Sequence, residues 1–378
     1  MQPRGSDADG CSDRIGSKSG LGLIDQKRVA HLLGAMLESD RFPPMLFAGP
    51  AGVGKRTAAL RLAQAANCEA ESSHPCGRCK SCCSIGTLSH PDVKLLMPIK
   101  LPPELERAQD DQTKIRIAAE TTMDLFPEYT LACPHPMIDP KHHVSIWQAR
   151  WLRQEMSKPP MLASRRFFII LHAHRMTADA ANAFLKTLEE PQSQTAIILT
   201  TDRPSLLLDT IRSRCRFVRF SALHSEVVRQ WLTENQKAKP EEAELAALVA
   251  DGSFGKALRF VADPNDFLSE PVIEFFAAGS TDEAAVLSTM SMLGRTPPAV
   301  VVYTLLFLYR QALLAKLGME TGYARHNPAV REKAGSSTLD YLSRAVGFLA
   351  SRLEDCRLSI DRRLFLYTLL SALRRSKG

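Results

Sequence analysis

The chain of 378 residues is 45% hydrophobic and 24% charged, which is too apolar for general disorder. Its length accommodates two or three domains, each with a core of its own. The net charge of +7 favours anionic partners, but spread over so long a chain it does not by itself point to nucleic acid.

Residues 1–19 are rich in Gly, Ser and Asp and have almost nothing to bury, which predicts a disordered tail. They lack the apolar segment of a signal peptide. Asp7, Asp9 and Asp13 are out of keeping with a transit peptide, so a cytoplasmic protein is expected. From Leu21 the pattern turns amphipathic. Val29, Leu32, Leu33, Met36 and Leu37 fall at helical spacing and predict a helix ahead of the first strand. That strand is Met45, Leu46, Phe47 and Ala48, preceded by Pro43 and Pro44. A glycine-rich turn follows over 49–54, then an Ala- and Leu-rich helix to about Ala66. Residues 68–83 hold five of the nine cysteines. Residues 93–96 predict another strand. Residues 100–143, rich in Pro, mixed in charge and without a clear period, predict a long inserted loop.

A helix over about 145–156 leads to a strand at 167–171, apolar on both faces as in a buried parallel sheet. The next helix, about 178–190, buries Ala181, Phe184, Leu185 and Leu188, and Pro191 stops it. Ala196, Ile197, Ile198 and Leu199 form a further strand. Strands alternating with helices predict a parallel α/β domain to about residue 220. Beyond 221 only helices are expected: a small helical domain to about 265, then a bundle. Leu342, Val346, Leu349 and Leu353 make one apolar face; Leu366, Leu369, Leu370 and Leu373 make another. The longest apolar run, 299–309, stops at Arg310, short of the ~20 residues of a spanning helix. No membrane partner is expected.

Residues 49–55 read Gly-Pro-Ala-Gly-Val-Gly-Lys between a strand and a helix, the context of a P-loop. Gly49, Gly52 and Gly54 let backbone N–H groups wrap a phosphate, the helix N-terminus adds positive potential, and Lys55 reaches the terminal phosphates. The full pattern places Ser or Thr next, to hold magnesium. Arg56 stands there instead, and Thr57 comes one residue late. A guanidinium cannot coordinate a cation. An ATPase of this kind also ends a middle strand with Asp or Asp-Glu. Here the strand at 167–171 runs into His172, Ala173 and His174, with no carboxylate before Asp179. One reading makes His172 and His174 a metal pair, which needs further ligands not evident nearby. The plainer one is that the strand lacks the catalytic acids. ATP or ADP binding without magnesium-dependent hydrolysis is the expectation.

Cys68, Cys76, Cys79 and Cys82 are spaced C-x7-C-x2-C-x2-C. In a reducing compartment, four thiolates in so short a span suit one tetrahedral Zn2+. With four protein ligands the site is structural. Cys83 is a spare thiol or a substitute for Cys82.

In these motifs the chain resembles the delta-prime family of bacterial DNA polymerase III clamp-loader subunits, within the AAA+ superfamily. The resemblance spans about 22–260. It rests on the P-loop, the cysteine module, His90-Pro91-Asp92, the run Lys186-Thr187-Leu188-Glu189-Glu190-Pro191 and its preceding helix, and Ser213-Arg214-Cys215. It implies an α/β P-loop AAA+ domain at 20–220 with a parallel sheet and an inserted zinc module at 68–83. A helical lid at 221–265 and a C-terminal helical collar at 266–378 would follow. It further implies a five-subunit ring with tau/gamma and delta subunits, which opens a sliding clamp and closes it around primed DNA. In that ring the delta-prime subunit does not hydrolyse ATP and lends an arginine to a neighbour, here Arg214. Gly252-Ser253 begins the family's lid motif. The arginine that senses phosphate in motor subunits aligns with Gly255, beside Lys256. Thr200 and Thr201 lie after the strand where a polar sensor belongs.

Two other functions stand beside this one. An active tau- or gamma-like motor is opposed by Arg56 and by the missing acids after residue 171. A zinc-containing nucleic-acid-binding module has Arg78 and Lys80, but no aromatic residue over 68–92 on which a base could stack.

Overall fold

The computed structural model describes residues 21–378 except 71–74, 132–138, 140, 193, 279–282, 294–295, 320, 357–360 and 376–378. The tail expected at 1–19 lies outside the described residues. The chain divides into two compact units, one up to residue 227 together with 252–255, the other 228–251 with 256–378.

The first unit runs α1 (Lys27–Ser39), β1 (Met45–Ala48), α2 (Lys55–Ala66), α3 (Lys80–Gly86), β2 (Val93–Leu96), α4 (Pro103–Arg107), α5 (Asp111–Asp124), α6 (Ile146–Met156), β3 (Arg166–Ile170), α7 (Ala178–Glu189), β4 (Thr195–Thr201), α8 (Asp209–Arg212) and β5 (Arg216–Arg219). The strands form one parallel sheet in the order β2-β3-β4-β1-β5. Every residue of β1, β3 and β4 is buried, because helices cover both faces of a parallel sheet. Thr200 and Thr201 thus lie inside β4, beyond Leu199, where the apolar pattern of the sequence ends the strand.

β5 was not anticipated. Arg216, Phe217 and Arg219 are exposed and only Val218 is buried, as befits an edge strand without an apolar pattern.

The stretch 100–143, expected as a loop, is largely helical where described. Asp110 caps α5 by accepting from the Thr113 N–H at 2.8 Å, and α5 buries Ile115, Ala118, Ala119 and Thr122. The buried Gln148 side chain of α6 then donates to Thr122 Oγ1 at 2.9 Å and to the Met97 carbonyl at 3.0 Å. Small residues and one isoleucine carry this face, too faint a signal to stand out in the sequence.

Asp92 explains why His90-Pro91-Asp92 follows the cysteine module. Its carboxylate is fully buried and accepts from the backbone N–H groups of Met161, Leu162 and Ala163 at 2.9, 2.7 and 2.9 Å. Arg166 Nε lies 3.4 Å away. Burial acts to raise its pKa, but the three N–H donors prevail and hold it below the usual carboxylate range. Asp92 thus binds fewer protons folded than unfolded. Its contribution is complete above the unfolded value near ~4 and is lost as pH falls through the lower folded value. Asp92→Asn is expected to cost about 3 kcal/mol at neutral pH. It should also flatten the loss of stability below about pH 4. A wild-type melting profile across that range would contradict this.

The second unit is helical throughout the described residues. It contains α9 (Ser225–Asn235, its first turn in the first unit), α10 (Pro240–Ala250), α11 (Phe254–Ala262, likewise), α12 (Glu270–Ala278) and α13 (Glu283–Met292). Then come α14 (Pro298–Lys316), α15 (Gly322–His326), α16 (Pro328–Ser336), α17 (Leu339–Asp355) and α18 (Arg362–Arg375). The apolar run at 299–309 does not end at Arg310 as a structural element. α14 continues to Lys316 and is long and apolar enough to cross a membrane. Its composition is accounted for by burial: Val301, Val302, Leu305, Leu308 and Ala312 are inaccessible in the core that α12, α16, α17 and α18 share.

Candidate functional site

The P-loop leaves β1 and enters α2 as the sequence predicts. Gly49 and Gly52 are needed for close approach: a Cβ at Gly49 would lie 2.3 Å from the Phe220 carbonyl oxygen, and one at Gly52 2.2 Å from Ser253 Oγ. Gly52 also has positive φ, and its carbonyl accepts from the Gly255 N–H at 3.2 Å. The Gly-Ser motif at 252–255 therefore rests on the loop. Gly54, also at positive φ, caps α2.

Lys55 is 9% exposed and turns back on its own loop, donating to the Gly49 and Pro50 carbonyls at 2.7 and 2.5 Å. Burial, opposed by Asp202, lowers its pKa to about 8. Arg56 is buried, with its guanidinium 5.9 Å from the centre of the Tyr129 ring. It lies over Tyr129, at the end of the 103–129 segment. Thr57 is half-buried on the same helix. Lys256 lies over the Tyr303 ring at 5.4 Å within the second unit.

Beyond β3, where a carboxylate would hold magnesium, stand His172 and His174. Burial pushes His172 down to about 4 and lowers His174 as well, with Asp202 pulling the other way for both. Burial thus disfavours the charged form of both rings. The glycine-rich loop is therefore formed between β1 and α2, with Arg56 and His172 at the two positions where a motor subunit's magnesium contacts would stand.

The four cysteines come together at the start of α3. Their Sγ atoms lie within 4.8 Å of one another, and Cys76 Sγ is 4.0 Å from Cys82 Sγ. A tetrahedral zinc with Zn–S bonds near ~2.3 Å sets its sulfurs about 3.8 Å apart, so the donor set fits. Backbone N–H groups point at the sulfurs: Cys76 N–H to Cys68 at 3.4 Å, Cys79 N–H to Cys76 and Cys82 N–H to Cys79 at 3.3 Å. N–H groups of Arg78 and Cys79 bring the Cys76 thiol down to about 6. Burial pushes Cys82 up. Gln64 of α2 anchors the module by donating to the Cys82 carbonyl at 2.7 Å. Cys83 is exposed and outside the cluster, and Cys82 is its fourth member.

Arg214 follows α8 and is one-third exposed. Its Nε and Nη2 reach Glu189 Oε1 at 2.7 and 2.5 Å, and Nη1 donates to the Thr210 carbonyl at 2.8 Å. Two motifs separate in sequence thus meet, and Glu189 orients the guanidinium.

The family model described as DNA polymerase III, delta subunit, matches residues 25–224, more than half of the chain. The chain belongs to the delta-prime family of DNA polymerase III clamp-loader subunits. That family lies within the AAA+ superfamily. It is 34% identical over 223 residues to the Bacillus subtilis delta-prime subunit, covering 59% of this chain and 55% of that one. It is 29% identical over 206 residues to that of Pseudomonas aeruginosa, covering 54% and 51%. It is 26% identical over 285 residues to the Mycobacterium tuberculosis gamma/tau subunit, covering 74% and 41%. The chain spans about half the length of these relatives. Three residues escaped the sequence reading as parts of sites: Glu189, Asp92 and Asp202. For Asp202 a signal existed, since it follows an apolar strand at the carboxyl edge of a parallel sheet, where ligands of open α/β folds bind.

Proposed function

We propose that this chain is the non-hydrolysing delta-prime subunit of a DNA polymerase III clamp loader. It joins tau/gamma and delta subunits in a five-membered ring that places a sliding clamp on primed DNA. Its P-loop, with Gly49, Gly52, Gly54 and Lys55, cradles the phosphates of ATP or ADP, with Thr57 beside it. The four-cysteine module holds a structural Zn2+ that keeps α3 folded against α2. Helices at 221–265 act as a lid, those at 266–378 as a collar, and Arg214 completes a neighbour's ATP site.

The observation that carries the reading is the pairing of a built phosphate loop with replaced magnesium contacts. Arg56 is committed to Tyr129, and His172 stands in the place of an acid. Without a hydroxyl and a carboxylate on the metal, in-line attack on the γ-phosphoryl group is not supported. The purified chain should show no appreciable ATP turnover, measured by phosphate release. Robust turnover that Lys55→Ala abolishes would sink the reading and make the chain a motor subunit.

A further inference from the structure

We infer that His172, His174 and Asp202 form a second metal site, selective for a borderline transition cation such as Zn2+, Co2+ or Ni2+. The sequence offers only the His-x-His pair. The third donor comes from the neighbouring strand: Ile170 of β3 pairs with Leu199 of β4, which brings the residues after both strands to the same edge of the sheet. One ligand atom from each of the three lies within 4.8 Å of the other two. His174 Nε2 is 3.4 Å from Asp202 Oδ1. That is the edge of a tetrahedron whose metal–ligand bonds are about 2.0–2.1 Å, the values for zinc with imidazole and carboxylate.

Three further observations point to a cation. Asp202 Oδ1 is buried and has no hydrogen-bond partner among the described residues, a costly state for a carboxylate oxygen. His174 Nδ1 is 3.0 Å from Thr201 Oγ1. When Nδ1–H donates to that hydroxyl, the Nε2 lone pair is left facing the carboxylate and can take a cation; in the other tautomer Nε2–H itself points to Asp202. His172 adopts a left-handed backbone with φ 49°, uncommon for a non-glycine residue, and its N–H donates to Thr200 Oγ1 at 3.3 Å. The imidazole rings are inclined at 74°, so they do not simply stack.

The donor set chooses the metal. Two imidazoles and one carboxylate suit zinc, cobalt and nickel, whereas magnesium prefers oxygen ligands and retains its waters. Three protein donors also leave a coordination position open, as in catalytic rather than structural sites. The Asp202 charge acts on Lys55 of the P-loop, so the cation would alter the field at the phosphate cradle. The plainer alternative is a proton: His174 as imidazolium paired with Asp202.

Cobalt titration separates the two. The full chain, reduced and stripped with chelator, first receives one equivalent of Zn2+ to fill the cysteine site, then Co2+. The expected result is one further equivalent of Co2+ with weak visible d–d bands and no thiolate charge-transfer band. The double variant His172→Ala, His174→Ala should lose it. Asp202→Asn and Thr201→Val should each weaken it by about tenfold or more. Mg2+ in large excess should not displace it. Zinc retained at the cysteine site shows that each variant has folded. No second equivalent in a folded chain, a second equivalent that survives the double variant, or its displacement by Mg2+ would overturn the inference.

Discussion

Arg214→Ala is expected to lower ATP hydrolysis at the neighbouring site of the DNA- and clamp-stimulated, reconstituted loader by about 10³-fold, with the ring still assembled. An arginine supplied in trans neutralises charge that develops on the γ-phosphoryl group, and its donors act where water is excluded. The guanidinium is held in place by Glu189 and the Thr210 carbonyl. Because Arg214 and Glu189 are both partly exposed, their ion pair adds little to stability, so the variant should fold normally. Arg214→Lys should not rescue the rate, since an ammonium lacks the planar fork. Glu189→Ala removes the orienting carboxylate but leaves the charge, and a smaller loss, on the order of 10–100-fold, is expected. An assembled loader with unchanged turnover after Arg214→Ala would reduce this chain to a scaffold.

Loss of zinc should have the largest effect on structure. The chain is expected to bind about one Zn2+ at the cysteine site, and Cys79→Ser should abolish that binding and unfold the residues around α3. Structural zinc in small modules contributes about 10–16 kcal/mol of binding free energy at neutral pH. Only part of this will appear as global stability, because Gln64 and the body of the sheet hold the module independently. The readouts are metal content, melting temperature and proteolysis between α2 and β2. Acid should act in the same direction. All four sulfurs must be deprotonated to bind the metal, so protons compete with zinc and its affinity falls as pH falls. A metal-free variant that melts like the wild type would refute the assignment.

Much of the first unit is legible in the sequence because its signals are local. Four consecutive apolar residues at 45–48 followed by Gly-Pro-Ala-Gly-Val-Gly-Lys specify a buried strand and a phosphate loop within one short segment. Cys79 caps α3 and Cys82 lies in its first turn, with Cys76 three residues ahead of the cap, so three of the four sulfurs come from one short segment. The helix at 178–190 announces itself by its apolar face and by Pro191. Failures occur where that local signal is weak. α5 buries small residues, β5 buries one residue in four, and α14 continues through an arginine that a run of apolar letters treats as an end.

What the sequence by itself determined is the family, the alternation of strands and helices, the cysteine module, and the loss of both magnesium contacts. Each rests on the identity and spacing of neighbours in the chain. The tertiary structure alone decided that Asp202 joins His172 and His174, that Glu189 steadies Arg214, and that Asp92 pins the backbone at 161–163. These are contacts between segments far apart in sequence. Parallel pairing of β3 with β4 sets one of them, and packing sets the others. No periodicity along the chain encodes which distant side chain arrives, because that depends on strand order and register, which exist only once the sheet has formed.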